Sequence, residues 1–247
     1  MDKLIYSSLS AMRSAMARQT MTANNLANAN TAGFRAEMSS SAALWVKGDG
    51  FDSRVANSGE VNSADMTAGT ISETGRMLDV ALDSKDALLA VQGREGDEAY
   101  TRRGDLQLSD SGLLTTGDGL PVLGDAGPIT LPPFDKLTIA NDGTISIVPQ
   151  GGDPSQTQTV DRLKLVGTSG MQVAKGLDGL FRPRNGGTLP SDPEAKVRQG
   201  ALEGSNVNVS STLIDMIEAS RGWDMQVKMM SAAQDIDKAS SELMRFD

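Results

Sequence analysis

The chain has 247 residues, of which 38% are hydrophobic but only 4% aromatic, so it can build a sizeable core that must be mostly aliphatic. It contains no cysteine and no histidine, which excludes disulfides, thiol nucleophiles, Cys/His zinc sites and every histidine-dependent triad. A formal net charge of −9 argues against general nucleic-acid binding, which needs clustered lysine and arginine.

The opening Met1–Gln19 has Lys3 in place, but Arg13 and Arg18 interrupt any apolar run and no small-residue cleavage site follows. A cleaved secretory leader is therefore not expected. No stretch reaches the roughly 18 apolar residues of a membrane span, so membrane insertion is not expected either. Residues 4–28 contain no glycine or proline and place Ile5, Leu9, Met12, Met16, Ala23 and Leu26 at alternating steps of four and three, with Gln19 in the gap. This 3.5-residue repeat predicts a helix with a coiled-coil-like seam. Residues 37–76, rich in Ser, Ala, Asn, Gly and Thr, have little periodicity and are expected to be extended and linker-like.

From Met77 onward the pattern becomes short aliphatic or alternating runs: Met77–Leu82, Ala87–Gln92, Ala99–Arg102, Leu106–Leu108, Lys136–Ala140, Thr144–Val148 and Arg162–Val166. Turn signals such as Ser109-Asp110-Ser111-Gly112, Gly117-Asp118-Gly119 and Asn141-Asp142-Gly143 separate them, which predicts an antiparallel sheet or barrel. All nine prolines fall between Pro121 and Pro193, and only Gly222 follows Gly204. The tail, residues 209–245, therefore reads as a second long helix, with a stripe of Val209, Leu213, Met216, Ser220, Trp223, Val227 and Met230. After a phase slip the stripe resumes at Ala233, Ile236, Ser240 and Leu243, and Ser210 or Ser211 would cap the start. Residues 1–36 carry a net charge of +3 and residues 205–247 one of −3. Complementary charge and matching stripes predict that head and tail pair, the alternative being two separate surface helices on an ordinary domain.

Catalytic motifs are missing: there is no G-x-S-x-G elbow, no phosphate-binding Gly-Lys-Ser/Thr loop and no G-x-G-x-x-G. Asp83 with Asp86, or Asp97 with Glu98, offers carboxylate pairs of the kind glycosidases use, but no aromatic platform accompanies them. Asn141-Asp142-Gly143 lacks the remaining ligands of a calcium loop. No enzyme activity, metal or cofactor is expected. A cell-wall hydrolase and an adhesin-like binding module are the competing classes.

The segment Asn24-Asn25-Leu26-Ala27-Asn28-Ala29-Asn30-Thr31-Ala32-Gly33-Phe34-Arg35 resembles the N-terminal motif of the bacterial flagellar rod and hook family. Gln199-Gly200-Ala201-Leu202-Glu203-Gly204-Ser205-Asn206-Val207-Asn208 is similar to that family's entry into its C-terminal helix. Between them, Leu78-Asp79-Val80-Ala81-Leu82, Tyr100-Thr101-Arg102-Arg103-Gly104 and Asn141-Asp142-Gly143-Thr144 recur in order. The opening residues and modest length look most like proximal-rod members, with distal-rod members the alternative. Two departures stand out. Asp83-Ser84-Lys85-Asp86-Ala87-Leu88-Leu89 replaces a glycine- and aromatic-containing turn, and Gly222 stands where relatives carry alanine, a change that costs about 0.5–1 kcal/mol of helix stability if exposed or else permits close packing beside Trp223.

The resemblance implies a mainly β fold with paired terminal α-helices, a discontinuous coiled-coil-like helical domain from both chain ends and a central antiparallel β domain. The expected divisions are 1–34, a linker 35–76, a β domain 77–203 and a C-terminal helix 204–247. It also implies a structural subunit of the rod that crosses the periplasm, exported by the flagellar type III apparatus, with other rod proteins and further copies of itself as partners. The expected assembly interface is Ile5, Leu9, Met12, Met16, Leu26, Leu213, Met216, Trp223, Val227 and Ile236. Asn24, Asn25, Leu26, Ala27, Asn28, Thr31, Gly33, Phe34, Ser205, Asn206 and Val207 carry the family motifs.

Overall fold

A computed structural model describes residues 2–45, 55–153 and 156–243. Helix α1 covers Asp2–Ala27 and is followed by strands β1 (Glu37–Trp45) and β2 (Val55–Ala64). Next come β3 (Ile71–Glu73), β4 (Val80–Leu82), β5 (Ala87–Gln92), β6 (Glu98–Thr101), β7 (Leu106–Leu108) and β8 (Leu114–Thr116). Then follow β9 (Phe134–Ile139), β10 (Thr144–Pro149), β11 (Gln158–Arg162), β12 (Leu165–Gly167), β13 (Val173–Lys175) and β14 (Phe181–Pro183). Two short strands, β15 (Val197–Gln199) and β16 (Ala201–Glu203), precede helix α2 (Val209–Leu243).

The chain divides into two compact units. Unit 1 joins Met1–Ala27, Glu37–Ser63 and Asn208–Asp247; unit 2 joins Asn28–Ala36 and Ala64–Val207. The stretch expected to be a linker thus contains the paired strands β1 and β2, and most of it groups with the helices. Its small polar residues gave no alternating pattern, so these strands had no apolar signature to read.

In unit 1 the two helices pack against each other. Among the described residues the buried side chains of α1 are Ser8, Thr22 and Asn25, and those of α2 are Thr212 and Ala219. On α2 the least exposed positions run Thr212, Met216, Ala219, Trp223, Gln226, Met230 and Ala233, an unbroken heptad register without the expected slip after Met230. Small side chains let the helix backbones approach, and the larger apolar ones lie mostly outside this stripe. The cap of α2 is Asn208 rather than Ser210 or Ser211, because its Oδ1 accepts from the Ser211 amide at 3.2 Å. Gly222 does not mediate close packing: a Cβ added there meets nothing within 4 Å.

The end of α1 fixes where β1 begins. Asn25 pairs with the Glu37 backbone in both directions, its Nδ2 donating to the carbonyl at 2.9 Å and its Oδ1 accepting from the amide at 2.8 Å. Asn24 adds a bond from its Nδ2 to Glu37 Oε1 at 2.7 Å. The adjacent asparagines therefore act as a side-chain substitute for a neighbouring strand.

Unit 2 is built from small antiparallel sheets rather than one barrel. The largest has five strands in the order β12-β5-β6-β14-β13, and a three-stranded sheet has the order β11-β10-β9. Strand β5 is buried on both faces, and its period of two sends alternate side chains into different cores. Leu89 and Val91 join the main aliphatic cluster with Leu106, Leu114, Ile145, Ile147 and Leu165. Leu88 and Ala90 join a second cluster with Tyr100, Val166, Phe181 and Leu189. Burial pushes the Tyr100 phenol up to about 12, and its hydroxyl accepts from the Leu189 amide and donates to Glu98.

Two outcomes are expected. Gly222→Ala should stabilise α2 by about 0.5–1 kcal/mol, measured by chemical denaturation followed at the helical circular-dichroism band, since the site is open and helical. Asn25→Asp should cost about 1–3 kcal/mol in the same assay, because it turns a donor into an acceptor that faces the Glu37 carbonyl.

Candidate assembly surface and the meeting of the chain ends

Both helices present apolar side chains that the single chain leaves uncovered. On α1, Leu9 is 39% exposed and Met16 60%, while Met12 and Leu26 are half-buried. On α2, Leu213 and Val227 are each 44% exposed and Ile236 59%, and Met216 and Trp223 are half-buried on the α1-facing stripe. Ile214, Ile217, Met225 and Met229, none of them among the ten residues expected at the interface, are exposed as well. The side chain of Ile5 lies outside the described residues. The nine described residues of the ten expected at the interface fall into two groups. Met12, Leu26, Met216 and Trp223 lie partly within the chain's own packing, and Leu9, Met16, Leu213, Val227 and Ile236 point to solvent.

The charges follow the same division. Arg13 and Arg18 on α1 and Asp215, Glu218 and Asp224 on α2 are exposed. Among the described residues no ion pair joins the helices.

The remaining motif residues belong to unit 2, where the segments from the two ends of the chain bond to each other. Thr31 Oγ1 bonds to Asn28 Oδ1 at 3.1 Å and the Phe34 amide to the Thr31 carbonyl at 3.3 Å, closing a tight turn. Gly33 has φ +67°, and a Cβ there would collide with the Arg102 carbonyl, so no other residue fits without displacement. The Gly33 amide donates to the Glu203 carbonyl at 2.7 Å. Asn206 accepts from the Ala36 amide at 2.7 Å and donates to the carbonyls of Asp65 at 2.8 Å and Thr67 at 3.0 Å. Ser205 Oγ accepts from the Val207 amide at 3.2 Å as the chain turns toward α2. Lys175 sits 3.5 Å from the Phe34 ring centroid and donates to the Arg35 carbonyl at 2.9 Å.

Beneath these bonds lies a buried ionic cluster. Glu203 pairs with Arg35 at 2.6 Å and with Arg102 at 2.6 Å, and all three side chains are at most 1% exposed. Arg102 also donates to the carbonyls of Leu82, Ser84, Lys85 and Ala87. It thereby supports the glycine-free turn at residues 83–87. Burial pulls the Arg102 guanidinium below its ordinary value, and the Glu203 carboxylate opposes that pull. Neither arginine stood out as a site residue in the sequence, because their partner is 101 or 168 positions away.

The acidic residues considered for catalysis are engaged in local structure. Asp97 bonds Arg182 at 2.7 Å, which holds its carboxyl below the ordinary range, the wrong direction for a general acid. Glu98 pairs with Lys164 at 2.7 Å. Asp83 lies 3.5 Å from Arg198, and Asp86 accepts from Ser169 at 3.1 Å. Asp142 accepts from the amide of Thr144 at 3.1 Å and from its hydroxyl at 2.8 Å, as a hairpin residue does. Among the described residues no helix is long and apolar enough to cross a membrane.

Three family descriptions match the chain. Residues 5–35 match "Flagella basal body rod protein", residues 86–147 match "Flagellar hook protein FlgE/F/G D1 domain", and residues 198–243 match "Flagellar basal body rod FlgEFG protein C-terminal". The flagellar basal-body rod protein FlgF of Escherichia coli strain K12 is 42% identical over 251 residues, covering 99% of both chains. FlgF of Salmonella typhimurium strain LT2 is 40% identical over 250 residues with the same coverage, and FlgG of Bacillus subtilis strain 168 is 29% identical over 260 residues. The chain belongs to the flagellar basal-body rod protein family, and within it is FlgF-like.

Proposed function

We propose that this protein is a structural subunit of the proximal part of the flagellar rod, built into the shaft through the outward faces of its terminal helices. The observation that carries the reading is the set of exposed apolar residues on α2, with Leu213, Ile217 and Val227 on one side of the stripe that packs on α1 and Ile236 on the other. Apolar exposure of this extent marks a surface meant for a partner. The helix faces carry opposite net charge and spend none of it on each other among the described residues, so basic α1 of one subunit suits acidic α2 of a neighbour. Contacts between unlike faces propagate a helical array instead of closing a dimer.

Within this reading the helix pair is a short coiled coil in the single chain, and a second layer of helix packing forms on assembly. The partners are further copies and other rod proteins, proximal and distal. The site is the basal body, in the rod that crosses the periplasm, and delivery is by the flagellar type III export apparatus. The full-length similarity to FlgF proteins supports this placement over a distal-rod one.

Deleting the gene should abolish swimming and leave basal bodies with an incomplete rod, restored by the wild-type chain. Complementation with Leu213→Asp should fail. The same purified variant should unfold within about 0.5 kcal/mol of wild type, because the residue is exposed. Normal basal bodies in the deletion strain, or normal swimming with Leu213→Asp, would sink the proposal.

A further inference from the structure

Glu203 is the last charged residue before the chain leaves unit 2, and four donors from three distant segments converge on its carboxylate. Oε1 accepts from Arg35 Nη2 at 2.6 Å and from the Gly69 amide at 2.8 Å. Oε2 accepts from Arg102 Nε at 2.7 Å and is 2.6 Å from Arg102 Nη2. Its backbone pairs with Ile71 in the β16–β3 ladder and accepts from Gly33. Without this carboxylate the site would hold two buried guanidiniums that repel each other, with no counter-charge. The carbonyls around Arg102 offset part of its desolvation, but Nε and Nη1 of Arg35 have no hydrogen-bond partner among the described residues.

We propose that Glu203 is a closure latch, which makes docking of the N-terminal segment 33–36 and of the 82–87 turn conditional on arrival of the C-terminal segment. Before residue 203 docks, closing unit 2 means burying two like charges. Once it docks, both guanidiniums pair with the same carboxylate, which lowers the net charge of the cluster from +2 to +1, and Asn206 adds a neutral tie to the same N-terminal segment. The latch responds to completion of the chain: unit 2 closes only when the segment leading into α2 is present. This goes beyond the rod assignment and stands on bonds within unit 2 alone.

The test is hydrogen exchange on the purified full-length chain carrying Glu203→Gln. The latch predicts that amides at 33–36, 69–73 and 82–87 lose protection together, by roughly 150- to 5,000-fold, the factor that follows from stripping a buried ion pair of one partner. Amides in the β9–β10 hairpin should change far less. Retained protection at 33–36 and 82–87 would overturn the proposal and leave the cluster a local ion pair. A second variant separates repulsion from simple loss of contacts. Glu203→Gln combined with Arg35→Met removes one of the two like charges, and its thermal midpoint should lie above that of Glu203→Gln alone. A double variant no more stable than the single would equally overturn the latch, and this comparison holds even if Glu203→Gln folds poorly.

Discussion

The constraint on which unit 2 depends is electrostatic. A guanidinium taken out of water is costly, and two of them close together are tolerable only with a counter-charge and filled hydrogen bonds. Here the counter-charge is a single carboxylate, and Arg102 meets the remaining demand by donating to four carbonyls of the 82–87 segment. That arrangement explains how an otherwise glycine-free turn is held. It also explains why the neighbouring glycines sit where they do. Gly33 passes against the Arg102 carbonyl and Gly69 against the Gly204 carbonyl, so both backbones can approach the cluster only without a Cβ.

The two units solve their packing in opposite ways. Unit 2 buries large aliphatic side chains on both faces of β5 and pairs its buried arginines with a buried carboxylate of its own. Unit 1 buries serine, threonine, asparagine and alanine between and beside its helices and leaves leucine, isoleucine and methionine outside. Small-residue packing gives little hydrophobic stabilisation, roughly 25 cal/mol for each Å² of apolar area removed from water. Long helices with so little buried apolar area rely on further packing for their stability. An element that is marginal alone and apolar outside gains most from a neighbour.

Much of unit 2 was legible because its strands carry aliphatic runs bounded by turn residues. β5 and β7 fall on the residues read from the pattern, and the Asn141-Asp142-Gly143 turn separates β9 from β10 as expected. The existence of both helices was equally legible from the distribution of glycine and proline. Their buried faces were less so. The apolar stripe of α1 was traced through Leu9, Met16 and Ala23, all exposed, whereas the buried positions Ser8, Thr22 and Asn25 are small or polar. A pattern search weighted toward large apolar residues finds the face such a helix offers outward. Strands β1 and β2 escaped for a related reason, being rich in serine, alanine and asparagine. The Glu203 cluster has no periodic signal at all, since its members come together only through the tertiary fold.

The family motifs therefore carry two kinds of work that sequence alone does not separate. Asn24 and Asn25 act within unit 1, where they hold the first residue of β1 by side-chain bonds that mimic a strand. Gly33, Arg35, Glu203 and Asn206 act within unit 2, where they join the incoming and outgoing segments of the chain. None of these residues supplies an exposed apolar contact. A motif made of turn formers, amide clamps and a buried ion cluster specifies how the chain closes, and the apolar side chains left exposed on the helices are the ordinary leucines, isoleucines and methionines outside it. Substitutions in the two sets should separate accordingly, with motif changes read in the isolated chain and stripe changes read only in the assembled structure.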